Sequence, residues 1–258
     1  MPDLRRRDRA PRAGRTRRER IGDLEFRVSG DLRERPGPRE AIVLVHGIGM
    51  SQRAMHRLHR TLRPGALVLS IDMPGHAGLP VPRREVDVVE MAGALGALLA
   101  RLGLPPVVLV GHSMGAQWAV ELAVQRPELV SRVVAIAPVV DAAHRSVREQ
   151  LVALLADAVR EPPSLVEIAC TDYLRCGVAW YAAQLRQTLA YPIERRLPVL
   201  RRPLLIVRGA HDTVAGEAWC RALRDATPDA ALVRIPGHHH AAQHSAPRAV
   251  AAAIVAHR

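Results

Sequence analysis

The 258-residue sequence predicts an α/β fold: a mostly parallel, doubly wound sheet with helices on both faces and an inserted helical lid. Three observations predict it. Short runs rich in Val, Ile and Leu recur along the chain, and each ends in a polar cluster. Segments of helical period lie between them, and strands that alternate with helices make a parallel sheet. One stretch, 141–200, breaks the alternation with helical patterns and no buried-strand run.

The elements follow in order. Residues 1–20, MPDLRRRDRAPRAGRTRRER, hold nine Arg against Asp3, Asp8 and Glu19 and almost nothing apolar, so they read as a disordered tail. LEFRVSG alternates as an edge strand, and RERPGPRE is a Pro/Gly turn region. AIVLVHG at 41–47 is a continuous apolar run closed by Gly, as a strand buried on both faces requires. Residues 52–62 have the pattern of a helix, and ALVLSIDMPGH at 66–76 is a second strand of the same kind. Val86, Val89, Leu95, Leu98, Leu99 and Leu102 recur at helical spacing over 85–102. PVVLVGHS is the next strand, 114–126 the next helix, and SRVVAIAPVV a further strand. PLLIVRGAHD at 203–212 and AALVRIPGHHH at 230–240 complete the strands, and PRAVAAAIVAH is a closing helix. The expected division is a core over 21–140 and 201–258 with a helical lid over 141–200. The lid carries Tyr173, Trp180, Tyr181 and Tyr191, bulky groups suited to excluding water or to packing the lid on the core.

Composition excludes several classes. Apolar residues make up 48% and aromatics 3%, so the core must be Leu, Val, Ile and Ala. The net charge is 37 − 25 = +12, with every basic residue an Arg, which reads as coding bias rather than as an anion-binding surface. Half of that charge, +6, sits in residues 1–20, so the body is less basic than the whole. No aromatic interleaving or basic module supports nucleic-acid recognition. No run approaches the ~18 apolar residues of a membrane span. Arg5-Arg6-Arg7 lacks the apolar stretch of an export signal. Cys170, Cys176 and Cys220 are odd in number, lack zinc-type spacing and read as free thiols in a cytoplasmic protein.

Ligands of such sheets bind beyond the carboxyl ends of the strands. There stand His46-Gly47, Asp72, Ser113, Asp141, Asp212 and His238–His240. Gly111-His112-Ser113-Met114-Gly115 joins a buried strand to a helix. A serine on so tight a turn needs glycine on both sides, and the turn presents its hydroxyl at the strand end as a nucleophile. The helix N-terminus then offers the Met114 N–H to an oxyanion. In the chain order Ser, acid, His, the acid is Asp212, with Asp141 as the alternative. The base lies among His238, His239 and His240, with His244 and His257 behind. No carboxylate is spaced to complete a metal site with them, so no metal and no organic cofactor is expected. VHGIGMS at 45–51 supplies a second oxyanion amide, from Ile48, with Gly47 and Gly49 as alternatives. His46 and His112 read as structural hydrogen-bonding residues.

These segments resemble the α/β-hydrolase superfamily. HGIG is similar to its oxyanion loop, and DMPGHAGLP to its D-x-P-G-x-G-x-S stretch, with Leu79 where a small polar residue is usual. GHSMG resembles the nucleophile elbow, RGAHDTV the acid loop, and PGHHHAAQHSAP the stretch that carries the base. In that family the base stands about seven residues before a proline; counting back from Pro247 gives His240, with His239 where the family usually has Gly. The resemblance covers roughly 41–140 and 201–258. It implies a serine hydrolase acting through Ser113, His240 and Asp212, with the Ile48 and Met114 amides on the oxyanion, on a small, mainly apolar ester, lactone or thioester. It also implies alternatives with the same residues: C–C bond hydrolysis, cofactor-free haloperoxidation, acyl transfer, or a non-catalytic binding protein. Ser113 argues against the epoxide and haloalkane chemistries, which use Asp at the elbow.

Overall fold

The computed structural model describes residues 16–31 and 40–257. Eight strands form one sheet: β1 (Thr16–Ile21), β2 (Leu24–Ser29), β3 (Ala41–Val45), β4 (Leu67–Asp72), β5 (Val107–His112), β6 (Val130–Ile136), β7 (Leu204–Gly209) and β8 (Ala230–Ile235). Their spatial order is β1-β2-β4-β3-β5-β6-β7-β8. β1 with β2 and β2 with β4 pair antiparallel, and every other pair is parallel. β3, β4, β5 and β7 are buried along their whole length, as continuous Val/Leu/Ile runs between two helical layers must be.

Two expectations need correction. Residues 16–20, assigned to the tail, belong to β1; it pairs with β2 from Thr16↔Ser29 to Ile21↔Leu24. Residues 1–15, the rest of the proposed tail, and 33–39 of the proposed turn lie outside the described residues. LEFRVSG is therefore not the edge: β1 covers it, and the charged, mostly exposed β1 takes the edge position that such a strand protects.

The helices are α1 (His56–Leu62), α2 (Val88–Leu102), α3 (Met114–Gln125), α4 (Val147–Ala158), α5 (Pro163–Cys176), α6 (Val178–Ala190), α7 (Ile193–Arg196), α8 (Glu217–Asp225), α9 (Ala242–Ser245) and α10 (Pro247–Ala256). From β3 the chain steps to β4 on one side, then crosses back past β3 to β5 and continues to β8 on the other. Right-handed crossovers then put α1 and α2 on opposite faces. α1 packs with α10, and α2 with α3. The reversal at β3 and β5 opens a crevice beyond their carboxyl ends.

The four helices α4–α7 fill the interval between β6 and β7. α4 begins with a capping box, Ser146 and Glu149 each bonding the other's backbone N–H. Two anchors join the insertion to the core. Trp180 of α6 lies on Gly75, where an added Cβ would stand 2.2 Å from Trp180 Nε1. Glu121 of α3, buried, accepts from Tyr191 Oη (2.6 Å) and from Arg196 Nε (2.8 Å).

Candidate active site

The turn between β5 and α3 is the most constrained point of the crevice. Ser113 has φ 56° and ψ −120°, a conformation side chains rarely adopt. Its amide donates to Ile136 O of β6 at 2.9 Å, which fixes the turn to the sheet. A Cβ on Gly111 would lie 2.1 Å from Gly115 O, and one on Gly115 would lie 2.5 Å from His46 O. Both glycines are thus required by backbone approaching backbone. Met114 opens α3, so its amide is one of the donors that no preceding turn satisfies.

The loop after β3 approaches from the other side. A Cβ on Gly47 would meet Ser113 Cβ at 3.1 Å, so Ile48 follows directly beside the serine. Gly49, at φ 68°, lies under Tyr173 and Tyr181, where a Cβ would meet the Tyr173 ring at 2.6 Å. His46 holds this loop: its Nδ1 donates to Gly47 O (2.8 Å), and its Nε2 accepts from the Met73 amide (3.0 Å). Burial pushes its pKa down to about 4, so it stays neutral. Asp72 ties the same loop to β4, accepting from the Gln52 amide (2.7 Å) and from Arg27 (3.1 Å).

The loops after β7 and β8 bring Asp212 to His240. His240 Nδ1 lies 3.2 Å from both Asp212 carboxylate oxygens, and Asp212 Oδ1 also accepts from the Val214 (2.8 Å) and Ala215 (2.9 Å) amides. Burial disfavours both charges, but their mutual attraction outweighs it: the His240 pKa is raised and the Asp212 pKa lowered. Asp141 goes elsewhere, accepting from the Ala143 amide (2.9 Å) and facing His144 (3.2 Å). The histidines diverge after Gly237, whose φ is 73°. His238 bonds Ser245 Oγ at 2.9 Å, His239 stands 3.8 Å from Asp157, and buried His244 bonds Ser164 Oγ at 3.1 Å. His257 lies beyond α10, its carbonyl accepting from Arg132. His112 Nε2 donates to His240 O at 3.2 Å, and burial lowers the His112 pKa to about 3.

Ser113, His240, Ile48 and His112 line one cavity of about 240 Å³. Its far wall comes from the insertion, including Leu151, Leu154, Leu165 and Tyr173. His240 Nε2 is buried without a hydrogen-bond partner in the protein.

A family model, the alpha/beta hydrolase family, matches residues 42–253. The chain belongs to that family. Among curated relatives of this hydrolase, an uncharacterized Mycobacterium tuberculosis protein is 34% identical over 111 residues, 43% of this chain. The chain spans only 30% of that relative's length. The sn-1-specific diacylglycerol lipase ABHD11 of Mus musculus is 28% identical over 232 residues, covering 78% of this chain and 75% of the lipase. Among solved structures, a bacterial membrane phospholipase A has TM-score 0.79 at 21% identity, covering 95% of this chain and 85% of that one. The enol-lactonase of Burkholderia xenovorans LB400 has TM-score 0.77 at 22% identity, covering 93% and 98%. At such identities the likeness is one of fold.

Sequence reasoning missed three polar groups of the hydrolase cavity: Asp157, Glu161 and Gln243. Gln243 is fully buried and neither end of its amide has a partner in the protein. The helical pattern of 147–159 could not have marked Asp157, because a carboxylate on such a helix reads as a solvated face, and Glu161 lies past the pattern in the turn that follows. Among the described residues no helix is long and apolar enough to cross a membrane, and the cysteines are free, Cys170 exposed and Cys176 and Cys220 buried.

Proposed function

We propose that this protein is a serine hydrolase that cleaves a small, mainly apolar ester, lactone or thioester through an acyl-enzyme. The observation that carries the reading is the Asp212–His240 pair, 3.2 Å apart, beside Ser113 at the strained turn of the same cavity. Ser113 Oγ attacks the acyl carbon and its proton passes to His240 Nε2; apo hydrogen bonds of this kind commonly close only with substrate. Asp212 holds the tautomer in which Nε2 accepts and stabilises the imidazolium. The oxyanion meets the Met114 and Ile48 amides. Collapse breaks the bond to the alcohol or thiol, which takes the proton from His240. Water, its proton taken by His240, then attacks the acyl-enzyme, and the acid leaves with Ser113 Oγ–H restored.

The helices over 141–200 act as the lid. Their apolar wall and a cavity of about 240 Å³, below the ~300–1,000 Å³ usual for drug-sized ligands, favour a compact acyl group. Labelling with a fluorophosphonate, read by intact mass, tests the reading. One adduct on the wild type and none on Ser113→Ala is expected, together with turnover of a chromogenic ester lost in the variant. Equal turnover in both would overturn it.

A further inference from the structure

Two carboxyl groups of the cavity wall take no part in the Asp212–His240 pair. Asp157 sits in the last turn of α4 and is 3% exposed; Glu161 lies four residues on, in the turn past the end of the helix. The carboxyl end of a helix is the end where anions are disfavoured. Burying a carboxylate adds a further cost unless hydrogen bonds compensate. Among the described residues neither has an Arg partner, so the compensation must come from what they touch.

They touch the loop of the base. Asp157 Oδ2 accepts the backbone N–H of His240 at 3.1 Å, and Glu161 Oε1 accepts that of Ala241 at 2.7 Å. His239 Nδ1 lies 3.8 Å from the other oxygen of Asp157. His240 is therefore gripped at three points from three elements. Its amide is held by α4, its carbonyl by His112 of β5, and its ring by Asp212 of the loop after β7. The loop itself begins with Gly237 in the left-handed region and passes over Gly209, where a Cβ would meet His239 O at 2.1 Å. The imidazole itself is held by Asp212, and the turn that carries it by the contacts to its amide and carbonyl.

We infer that Asp157 and Glu161 are positioning residues for His240: they clamp its loop to the insertion, so that the base is aimed at Ser113 only while α4 is seated. The inference rests on the reading of His240 as the base. It makes the insertion part of the acid–base apparatus as well as a wall of the acyl cavity.

The electrostatics agree with the geometry. Burial disfavours the His240 imidazolium, Asp212 supplies the largest favourable effect, and Asp157 and Glu161 add to it. Glu161 is itself pushed up to about 7, first by burial and then by the Asp157 carboxylate beside it. The ionisable groups facing the base are thus Asp212, Asp157, Glu161, His112 and, along the loop, His239.

The test compares Asp157→Ala, Asp157→Asn, Glu161→Gln and Ser113→Ala with the wild type, using kcat and KM on a chromogenic acyl ester across pH and a thermal melt of each variant. Misplacing a base by about 1 Å costs on the order of 10²-fold. Asp157→Ala should lose about tenfold or more in kcat with KM within about threefold, on that scale. Asp157→Asn keeps an acceptor for the His240 amide but removes a carboxylate from the imidazolium. It should recover most of kcat while the acid limb of kcat/KM moves to lower pH, a shift that a purely structural role would not produce. Glu161→Gln should move it in the same direction by less. A folded Asp157→Ala with wild-type kcat overturns the inference, and so does an Asp157→Asn whose acid limb stays in place, whether or not the alanine variant folds. If Ser113→Ala keeps wild-type turnover, the underlying reading falls instead.

Discussion

Gly111→Ala isolates the demand that the turn makes on the sequence. The added Cβ would stand 2.1 Å from Gly115 O, 2.3 Å from Gly115 C and 2.6 Å from Ala116 N. Every one of these is backbone, so no side chain can swing away. To restore ordinary contact the first turn of α3 must lift by about 1 Å. Overpacking costs about 1–3 kcal/mol, and a rigid backbone neighbour belongs at the upper end. For a chain of this size that is a fall in Tm of roughly 6–12 °C, at about 2–4 °C per kcal/mol. The same lift displaces the Ser113 Oγ and the Met114 amide, so fluorophosphonate labelling should slow by about 10²-fold. Gly103→Ala is the control. Gly103 sits at φ 63° with nothing within 4 Å of the new Cβ, so the variant carries only left-handed strain of about 1–2 kcal/mol. Part of that is offset by the less flexible unfolded chain. It should cost a few degrees or less in Tm and leave labelling untouched. If Gly111→Ala melts and labels as Gly103→Ala does, the close approach is not what the glycine serves.

The remaining predictions concern Asp212, His240 and Ser113 in the roles proposed for them. Asp212→Asn should lower kcat by about 10⁴-fold on the scale known for such triads, whereas Asp141→Asn, which keeps an Oδ1 acceptor for the Ala143 amide and loses only the carboxylate facing His144, should leave kcat near wild type; equal losses would mean the acid is misassigned. The raised His240 pKa puts the acid limb of kcat/KM above the ordinary His value of about 6.5, since the base must be unprotonated to act, and a limb at or below that value contradicts the pairing. In stability, the His240 contribution is present below its unfolded pKa and lost as pH rises through the raised folded one. The Asp212 contribution is present above its unfolded value and lost as pH falls through the lowered folded one, so denaturant melts should show the pair contributing most between the two. Ser113→Gly should melt about 2–4 °C above Ser113→Ala, because glycine alone relieves the φ 56° strain, worth about 1 kcal/mol net of the added unfolded-state freedom; identical melts would show the turn to be unstrained.

The strands were legible because burial on both faces leaves only one composition open to them. β3, β4, β5 and β7 are five- or six-residue apolar runs, and each begins within one residue of its expected start, though β4 and β7 end three or four residues sooner than expected. β1 was not legible. TRRERI carries one buried side chain and otherwise faces water, and its pairing is backbone to backbone, so it looks like the charged stretch before it. With β1 hidden, β2 looks like the edge. α8 (EAWCRALRD) gives little sequence signal although Trp219, Cys220 and Leu223 are buried at helical spacing, because its nine residues are mostly charged or small.

The candidate site divides along a similar line. Ser113 and Gly111 are local: the approach of Gly111 to the Gly115 backbone acts within five residues, whereas Gly115 answers to His46 O at the end of β3 and is legible only through its spacing in the motif. Asp212 is nearly local, standing just past the end of β7. The choice among His238, His239 and His240 is not local. Three successive side chains leave Gly237 in three directions, toward Ser245, Asp157 and Asp212, and only the fold says which meets which. Periodicity offers no signal there; the distance to Pro247 does so only through resemblance. Asp157 and Glu161 lie further still from what a pattern can hold. Their partners are backbone amides 83 and 80 residues away, and any residue except proline supplies an amide. A contact made to main chain leaves no trace in the partner's identity. The two contacts that join α4 and the turn after it to the loop of His240 are of that kind, and the insertion is accordingly where the sequence says least and the structure adds most.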